Sequence, residues 1–433
     1  MKSSTRFTLR TVAFDTVAVA VAGLIASQAV FGVPVLWDVP TGFFSNFRPI
    51  WPMGAMLAGG LILGSWQATK WVEPNIHRPL YNRAFVAAAV GLGVTLLGVF
   101  TFRTYYSTAW VPLTLGLWGV LALSHRAVRR RHRWLERMVL VTHEKALGHE
   151  LAEAPHAEVV DLLDPRGEAP TSALPPNTTL VVDLTSLMSD AMARYVSSST
   201  LAGYDVRALS NVYEDHLGRV ALVHLAEGWE ISVPLEQRAP YVPFKRFVET
   251  VLVLATSPLW LVLAGITWVL VRSDSHGSAI FRQVRTGLND KPFTMYKFRT
   301  MVDGAEDDGP QFTQPDDPRI TKVGRFLRST RLDEIPQLWN VLRGEVALVG
   351  PRAEQVAFTR QFESIIPFYR YRHLVRPGIT GWAQVHHGYA DDLSDTIEKL
   401  TYDLYYVRHM SPWLDFSIIM KTILTVFTGR GAQ

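Results

Sequence analysis

Apolar residues in the first 125 positions gather into four long runs, at about 11–33, 50–67, 84–102 and 108–123. Each is near the ~20 residues an α-helix needs to cross a bilayer. Basic residues alternate between the connecting segments. Lys2, Arg6 and Arg10 precede the first run, and only Arg48 separates the first from the second. Lys70, Arg78 and Arg83 follow the second run, only Arg103 follows the third, and six arginines crowd Arg126 to Arg137 after the fourth. This positive-inside alternation predicts four transmembrane helices over 1–125 with both ends in the cytoplasm. The first run carries Asp15 and is too long for a good signal peptide.

The pattern then changes. Over 126–240 short apolar runs read as strands ("RMVLVTH", "AEVVDLLD", "TTLVVDLT", "DVRALS", "RVALVHL"), with "EKALGHELAE" and "LMSDAMARYVSSST" as helices between them. The rhythm predicts a cytoplasmic, Rossmann-like α/β domain. A dinucleotide site would need glycines after the first strand, so that backbone can approach a pyrophosphate. Gly148 stands there alone, which points to a structural or regulatory role.

A fifth apolar stretch, 247–271, opens the section 241–433. Ser257-Pro258 interrupts it, and both flanks are basic: Lys245 and Arg246 before, Arg272 after. Proline breaks helical hydrogen bonding, and matched flanks give neither end a reason to leave the cytoplasm. A re-entrant helix-break-helix satisfies both facts; an ordinary fifth span is the alternative.

Composition sharpens this picture. Mean hydropathy is +0.11. With 13 Trp and only 19% charged residues among 433, the chain is too apolar for an ordinary soluble enzyme. Cysteine is absent, which excludes disulfides, thiolate metal sites and a cysteine nucleophile.

The densest chemistry lies in "RSTRLDEIPQLWNVLRGEVALVGPR", where Asp333 and Glu334 stand among arginines at the foot of an apolar helix. Acids at a helix start can simply complement the helix dipole and cap its N–H groups. Capping and catalysis are both open on this stretch alone. Lys297, Arg299, Arg319, Arg352 and Arg376 are candidates for gripping phosphate, for which the arginine fork is well shaped. Arg325, Arg328 and Arg331 read better as a solvated or headgroup-facing stripe. His386-His387 lacks a spaced third ligand for zinc, Trp382 reads as core, and Gly378 and Gly381 read as turn residues. The tail, "SPWLDFSIIMKTILTVFTGRG", sets Asp415, Lys421, Thr422, Thr425 and Thr428 along one side of a helix.

Three long motifs, "FRQVRTGLNDKPFTMYKFRTM", "DPRITKVGRFLRSTRLDEIPQLWNVLRGEVALVGPR" and "RPGITGWAQV", follow one another in the order seen in bacterial sugar transferases, the monotopic phosphoglycosyl transferases. The resemblance is close over about 245–428. The four spans and α/β domain resemble the long polyisoprenyl-phosphate hexose-1-phosphate transferase branch. It implies transfer of a sugar phosphate from a UDP-sugar to polyprenyl (undecaprenyl) phosphate, with release of UMP and initiation of surface glycan assembly. It implies Asp333 as nucleophile, forming a phosphosugar-aspartyl intermediate, and Glu334 (with Asp333) as ligand to Mg²⁺. It also implies a bacterial cytoplasmic membrane location with the catalytic domain on the cytoplasmic face, and it makes a homodimer plausible. The chain departs from the family pattern at Val346, Ala347, Ala353 and Glu249, which leaves fine substrate contacts open. The rival readings are a catalytically relic membrane scaffold and a nucleotide-sugar dehydratase or epimerase. No motif reads the identity of the sugar, and nucleic acid is not an expected partner.

Overall fold

The structure is a computed structural model. It describes residues 3–32, 38–40, 47–49, 51–71, 81–103, 107–131, 135–225, 241–302, 304–305, 317–386 and 393–428. Lys2, Arg78 and His387 therefore lie outside the described residues. The chain is mixed helical and α/β, in two compact units: 1–136 with 155–158, and 137–154 with 159–433.

The first unit contains helices α1 (Ser3–Phe31), α2 (Trp51–Trp71), α3 (Tyr81–Phe102) and α4 (Trp110–Arg131). A short antiparallel pair, β1 (Asp38–Pro40) and β2 (Phe47–Pro49), lies between α1 and α2. Stretches of α1, α3 and α4 are long and apolar enough to cross a membrane. The second predicted span is also helical, but Gly54, Gly59, Gly60, Gly64 and Gln67 dilute its hydropathy. Gly60 and Gly64 have a packing use. A Cβ on Gly64 would lie 2.7 Å from the Ala87 Cα, and one on Gly60 2.8 Å from the Gly91 Cα. Only glycine lets two helix backbones approach so closely.

One ion pair ties the bundle together. Asp15 on α1 and Arg126 on α4 are each 1% exposed. Arg126 Nη1 donates to Asp15 Oδ1 at 3.0 Å and Nη2 to Oδ2 at 2.8 Å, while Ser65 Oγ on α2 donates to Oδ2 at 2.6 Å. The arginine that the sequence places in a basic flank is thus the counter-ion of the one acid noticed in the first run.

In the second unit, β3 (Glu136–Val141), α5 (Lys145–Glu153), β4 (Ala157–Leu163), β5 (Thr178–Val182), α6 (Asp190–Leu201), β6 (Asp205–Ala208) and α7 (Leu209–Leu217) build a sheet of order β4-β3-β5-β6. β5 pairs in parallel with both β3 and β6. "RVALVHL" is not a strand: Val220 and Ala221 are irregular and Leu222–His224 is a 3₁₀ turn. Its apolar residues are buried for another reason, since Val220 and Leu225 join the core of the C-terminal section. Polar contacts join the two sections as well. Glu214 of α7 accepts from Arg408 Nη1 at 2.6 Å and pairs with His409 Nε2 at 2.7 Å. Trp382 Nε1 donates to the Gly218 carbonyl at 2.7 Å, so Trp382 is core, as its sequence context suggests.

The C-terminal section starts with two apolar helices, α8 (Tyr241–Ala255) and α9 (Ser257–Asp274), bent by 63°. The break falls on Thr256, one residue before the expected Ser257-Pro258. Pro258 instead sits in the first turn of α9, where its missing N–H costs nothing. The basic flank is bonded inward: Lys245 Nζ donates to Val349 O at 2.7 Å, Tyr406 Oη at 2.8 Å and Asp415 Oδ2 at 2.5 Å. Arg246 donates to the Val341 carbonyl and, at 2.7 Å, to that of Leu342.

Beyond this bent pair come the antiparallel strands β7 (Ile280–Thr286) and β8 (Pro292–Phe298), then α10 (Lys322–Thr330) and α11 (Gln337–Arg343). The parallel strands β9 (Ala347–Val349) and β10 (Gly378–Thr380) flank α12 (Val356–Ile365), and α13 (Trp382–His386), α14 (Leu393–His409) and α15 (Pro412–Thr428) complete the chain.

Two stability measurements follow. Arg126→Leu leaves the Asp15 carboxylate buried without its counter-ion, at a cost of about 3–5 kcal/mol. The Asp15→Leu/Arg126→Leu double variant should lose less than Arg126→Leu alone, read by thermal unfolding in detergent. The second concerns the β7–β8 turn, where His373 Nδ1 lies 2.6 Å from Asp290 Oδ1. Burial, helped by the nearby Arg372 charge, depresses the imidazole from 6.5 to about 4. Between those values the unfolded chain holds a proton that the folded chain does not. Stability should therefore be full above pH 6.5 and fall by up to about 3 kcal/mol as pH drops toward 4. Denaturation from pH 7.5 to 4 reads this, and His373→Asn should flatten the slope.

Candidate active site

The acidic pair is placed by a sharp change of chain direction. Thr321 Oγ1 accepts from Gly324 N at 2.9 Å to start α10, and Arg331, at φ +57°, ends it in the left-handed region. A single 3₁₀ turn, Leu332–Glu334, then leads through Pro336 into α11. Leu332 and Ile335 pack against Val271, Ala279, Phe298 and Leu327, and this draws the two acids between them out of water. Asp333 is left 9% exposed and Glu334 6%. Neither carboxylate caps a helix. Their burial needs another explanation, because uncompensated charge is costly away from water.

Glu334 is compensated from three sides. Its Oε1 lies 3.1 Å from Lys297 Nζ, 3.3 Å from Arg352 Nη1 and 3.9 Å from Arg331 Nη1. Lys297 comes from β8 and Arg352 from the loop after β9. That loop is set by backbone packed directly on backbone: a Cβ on Gly378 would lie 2.1 Å from Gly350 N, and one on Gly381 2.3 Å from Gly350 O. These glycines serve close approach rather than the tight turn that the sequence suggested.

The pair is electrostatically unequal. Burial works to raise the Glu334 carboxyl, but Lys297, Arg352 and Arg331 outweigh it and hold the group at about 2. Burial, and then the charge of Glu334, push the Asp333 carboxyl above the usual aspartate range, against a smaller pull from Lys297, Arg352 and Arg328. Burial also lowers Lys297, opposed by Glu334. Glu334 is thus a clamped anion, whereas no hydrogen bond among the described residues engages the Asp333 side chain.

Of the five cations picked out by sequence, the structure brings Lys297 and Arg352 to the acidic pair. Arg299 Nη2 donates to Ser275 O at 2.9 Å and Oγ at 2.8 Å, fastening the end of α9. Arg319 is paired with Asp317 at 2.6 Å, and Arg376 Nε donates to Gly344 O at 3.0 Å. Arg331, read from sequence as part of a solvated stripe, belongs to the cluster; its i,i+3 spacing to Glu334 was the available signal. Arg328 Nε donates instead to Thr300 Oγ1 at 2.9 Å. His386 is committed to Trp382 O at 3.0 Å and to Lys421 Nζ at 2.7 Å. Val346, Ala347 and Ala353 are 1%, 2% and 3% exposed, so these departures from the family pattern sit in the core. Glu249 Oε1 accepts from Leu348 N at 2.9 Å, which supports β9.

A cavity of about 260 Å³ is lined by Arg331 and Glu334 together with Thr380, Gln384, Thr422 and Thr425. The tail helix α15 is therefore part of the site. The hydrogen bonds and ion pairs of Glu334 converge on Oε1. Oε2 and the Asp333 carboxylate are left as hard oxygen donors of the kind that Mg²⁺ accepts together with phosphate oxygens. Elsewhere Asp290, Glu363 and His373 form a second group of potential ligands, but Arg370 already pairs with both of its acids.

The model of the family described as "Bacterial sugar transferase" matches residues 240–429. An Aeromonas hydrophila UDP-N-acetylgalactosamine-undecaprenyl-phosphate N-acetylgalactosaminephosphotransferase is 43% identical over 55% of this chain and 56% of its own length. An Escherichia coli K12 UDP-glucose:undecaprenyl-phosphate glucose-1-phosphate transferase is 40% identical over 43% of this chain and 39% of its own length. The chain thus spans about half, or less, of the length of these relatives. An exopolysaccharide production protein, PSS, of Rhizobium leguminosarum bv. phaseoli is 39% identical over 38% of this chain and 85% of that protein. The matched region holds the acidic pair, its three cations and the cavity, and by this similarity the chain belongs to the bacterial sugar transferase family.

Proposed function

We propose that this chain is a membrane-bound transferase that moves a sugar 1-phosphate from a UDP-sugar to a polyprenyl phosphate. The observation that carries the proposal is the unequal buried pair: a clamped Glu334 beside an Asp333 that no hydrogen bond engages. The relatives named for undecaprenyl-phosphate sugar transfer supply the substrate class.

In this reading an Asp333 oxygen attacks the sugar-bearing phosphorus. The phosphoanhydride bond breaks, and UMP leaves with the bonding electron pair. An oxygen of polyprenyl phosphate then attacks the same phosphorus, the acyl-phosphate bond breaks, and Asp333 returns as a carboxylate. The product is a polyprenyl diphosphate sugar. A carboxylate suits both halves, being a competent nucleophile at short range and a good leaving group from an acyl phosphate. Lys297, Arg331 and Arg352 supply fixed positive charge for the phosphate oxygens. Glu334, with Asp333, would hold Mg²⁺, which neutralises diphosphate charge and polarises the reacting phosphorus.

The rest of the chain is read as a membrane anchor. Helices α1 to α4 serve as four crossings with both ends cytoplasmic, and the bent α8–α9 pair as a hairpin that enters and leaves through one leaflet. The inward-bonded Lys245 and Arg246 support that reading, because they hold the start of the hairpin to the catalytic section. The β3–β6 section is read as Rossmann-like but structural. A Cβ on Gly148 would lie 2.7 Å from Leu162 Cδ1, so this glycine serves packing. Asp183, just after β5, accepts from Thr142, Thr185 and Ser186 at 2.6–2.9 Å and so ties the ends of β3 and β5 together. A dehydratase or epimerase would need a glycine-rich turn after the first strand, where Gly148 stands alone, and a relic scaffold has no use for the intact cluster around Glu334. Placement in a bacterial cytoplasmic membrane, initiation of surface glycan assembly and a dimeric state complete the proposal.

Purified protein should release about one equivalent of UMP from a UDP-sugar on its own, and go on releasing it only when polyprenyl phosphate allows repeated turnover. EDTA should abolish turnover and Mg²⁺ restore it. Arg352→Lys should lose at least about tenfold in rate, because a point ammonium cannot replace a bidentate fork. Absence of UMP release with every UDP-sugar and polyprenyl phosphate supplied would reject the proposal.

A further inference from the structure

Arg352 is placed by its backbone more than by its side chain. Its Nη1 and Nη2 lie 3.3 Å and 3.4 Å from Glu334 Oε1. A strong charged hydrogen bond is shorter, at about 2.7–2.9 Å. The chain beneath is held closely. Gly378 N donates to Pro351 O at 2.9 Å, and Arg285 Nη1 donates to Ala353 O at 2.8 Å. Between these, Arg372 Nη2 donates to the Arg352 carbonyl itself at 2.9 Å. Arg372 comes from the 3₁₀ stretch Tyr369–Leu374 and is 6% exposed, too enclosed to touch a substrate. The same Nη2 donates to Asp403 Oδ2 of α14 at 2.7 Å, and Nη1 donates to Tyr369 Oη at 2.5 Å.

Stability explains this network poorly. Asp403 and Tyr369 are buried, yet Arg372 Nε and Asp403 Oδ1 have no hydrogen-bond partner among the described residues. A buried ion pair with unmatched atoms is usually no better a stabiliser than apolar side chains of the same volume. What it supplies is direction. A planar fork fixed by Asp403 and Tyr369 presents Nη2 to the Arg352 carbonyl in one orientation. Resting on the transferase reading above, we infer that Arg372, oriented by Asp403, is a positioning residue for sugar-phosphate transfer. By fixing the Arg352 peptide, it sets where the Arg352 guanidinium meets Glu334 and the phosphate oxygens. That guanidinium stands at the end of a long side chain, so a small rotation of the peptide moves it far. Its contacts to Glu334 are already near the outer limit of hydrogen bonding and cannot absorb the shift.

The test follows UMP release by the full chain with polyprenyl phosphate and UDP-glucose, UDP-galactose or their N-acetylated counterparts, together with thermal unfolding in detergent. Arg372→Met/Asp403→Leu replaces the pair with apolar side chains of similar size and should unfold near the wild-type temperature. Arg372→Lys keeps a charge opposite Asp403, but a point ammonium cannot span the three partners of the fork. Both variants should lose about 10- to 100-fold in kcat/KM, the scale of loss expected from misplacing an active-site group by about 1 Å. The decisive comparison is made in Arg352→Ala. Because Arg372 acts through Arg352, either change added to Arg352→Ala should lower the rate further by less than about threefold. A purely structural role predicts instead that the losses multiply in full. Full multiplication would overturn the inference. So would a wild-type rate in the folded variants, or failure of both to fold, which would make the pair a stabiliser. A wild-type protein that releases UMP from none of the sugars would reject the transferase reading, and this inference with it.

Discussion

Two neighbouring carboxylates cannot both be buried at full charge unless cations hold at least one of them, and this constraint organises the C-terminal section. Lys297, Arg331 and Arg352 arrive from three separate places in the chain, all within 4 Å of one oxygen of Glu334. Each arrival needs its own scaffold. The β7–β8 hairpin aims Lys297, the left-handed residue at the end of α10 turns Arg331 inward, and glycine-on-glycine packing between the β9 and β10 loops sets Arg352. The clamp then fixes the difference between the acids: Glu334 is locked in its charged form, and Asp333 is left raised and unengaged. Asymmetric pairs of this kind are how one environment gives two carboxyl groups two roles.

The bent apolar helices and the α/β section are connected to the C-terminal section by short polar contacts. Lys245 and Arg246 fasten the bent apolar helices to strand β9 and helix α11, which follow the acidic turn. On the opposite side, Glu214, Gly218 and Val220 of the α/β section reach into the core formed by α13 and α14. The sheet is thus built into the C-terminal section.

Much of this was legible in the sequence. Long apolar runs, matched basic flanks and the α/β rhythm are strong periodic signals, and the helices stand where they point. The losses share a cause, namely tertiary context overriding a local pattern. "RVALVHL" alternates like a strand, yet its apolar residues serve a neighbouring core. Arg299 and Arg376, candidates for phosphate within their motifs, each donate to a backbone carbonyl that sequence cannot place. Arg331 looked solvated because its inward turn depends on a positive φ that arginine seldom adopts. Asp15 and Arg126 are 111 residues apart, and only the fold reveals them as partners. The tail threonines were visible as a polar stripe, but the cavity that Thr422 and Thr425 line was not.

The most direct measurement of the central claim, that Asp333 is the nucleophile, is trapping of the covalent species. The protein is incubated with a UDP-sugar labelled in its sugar phosphate, without polyprenyl phosphate. Label should remain on the wild-type chain through denaturation, be released by hydroxylamine as an acyl phosphate is, and be absent from Asp333→Asn. That substitution keeps size and polarity, so the variant should fold and stay membrane-bound. Equal labelling of Asp333→Asn and wild type, or wild-type turnover by the Asn variant, would contradict the account.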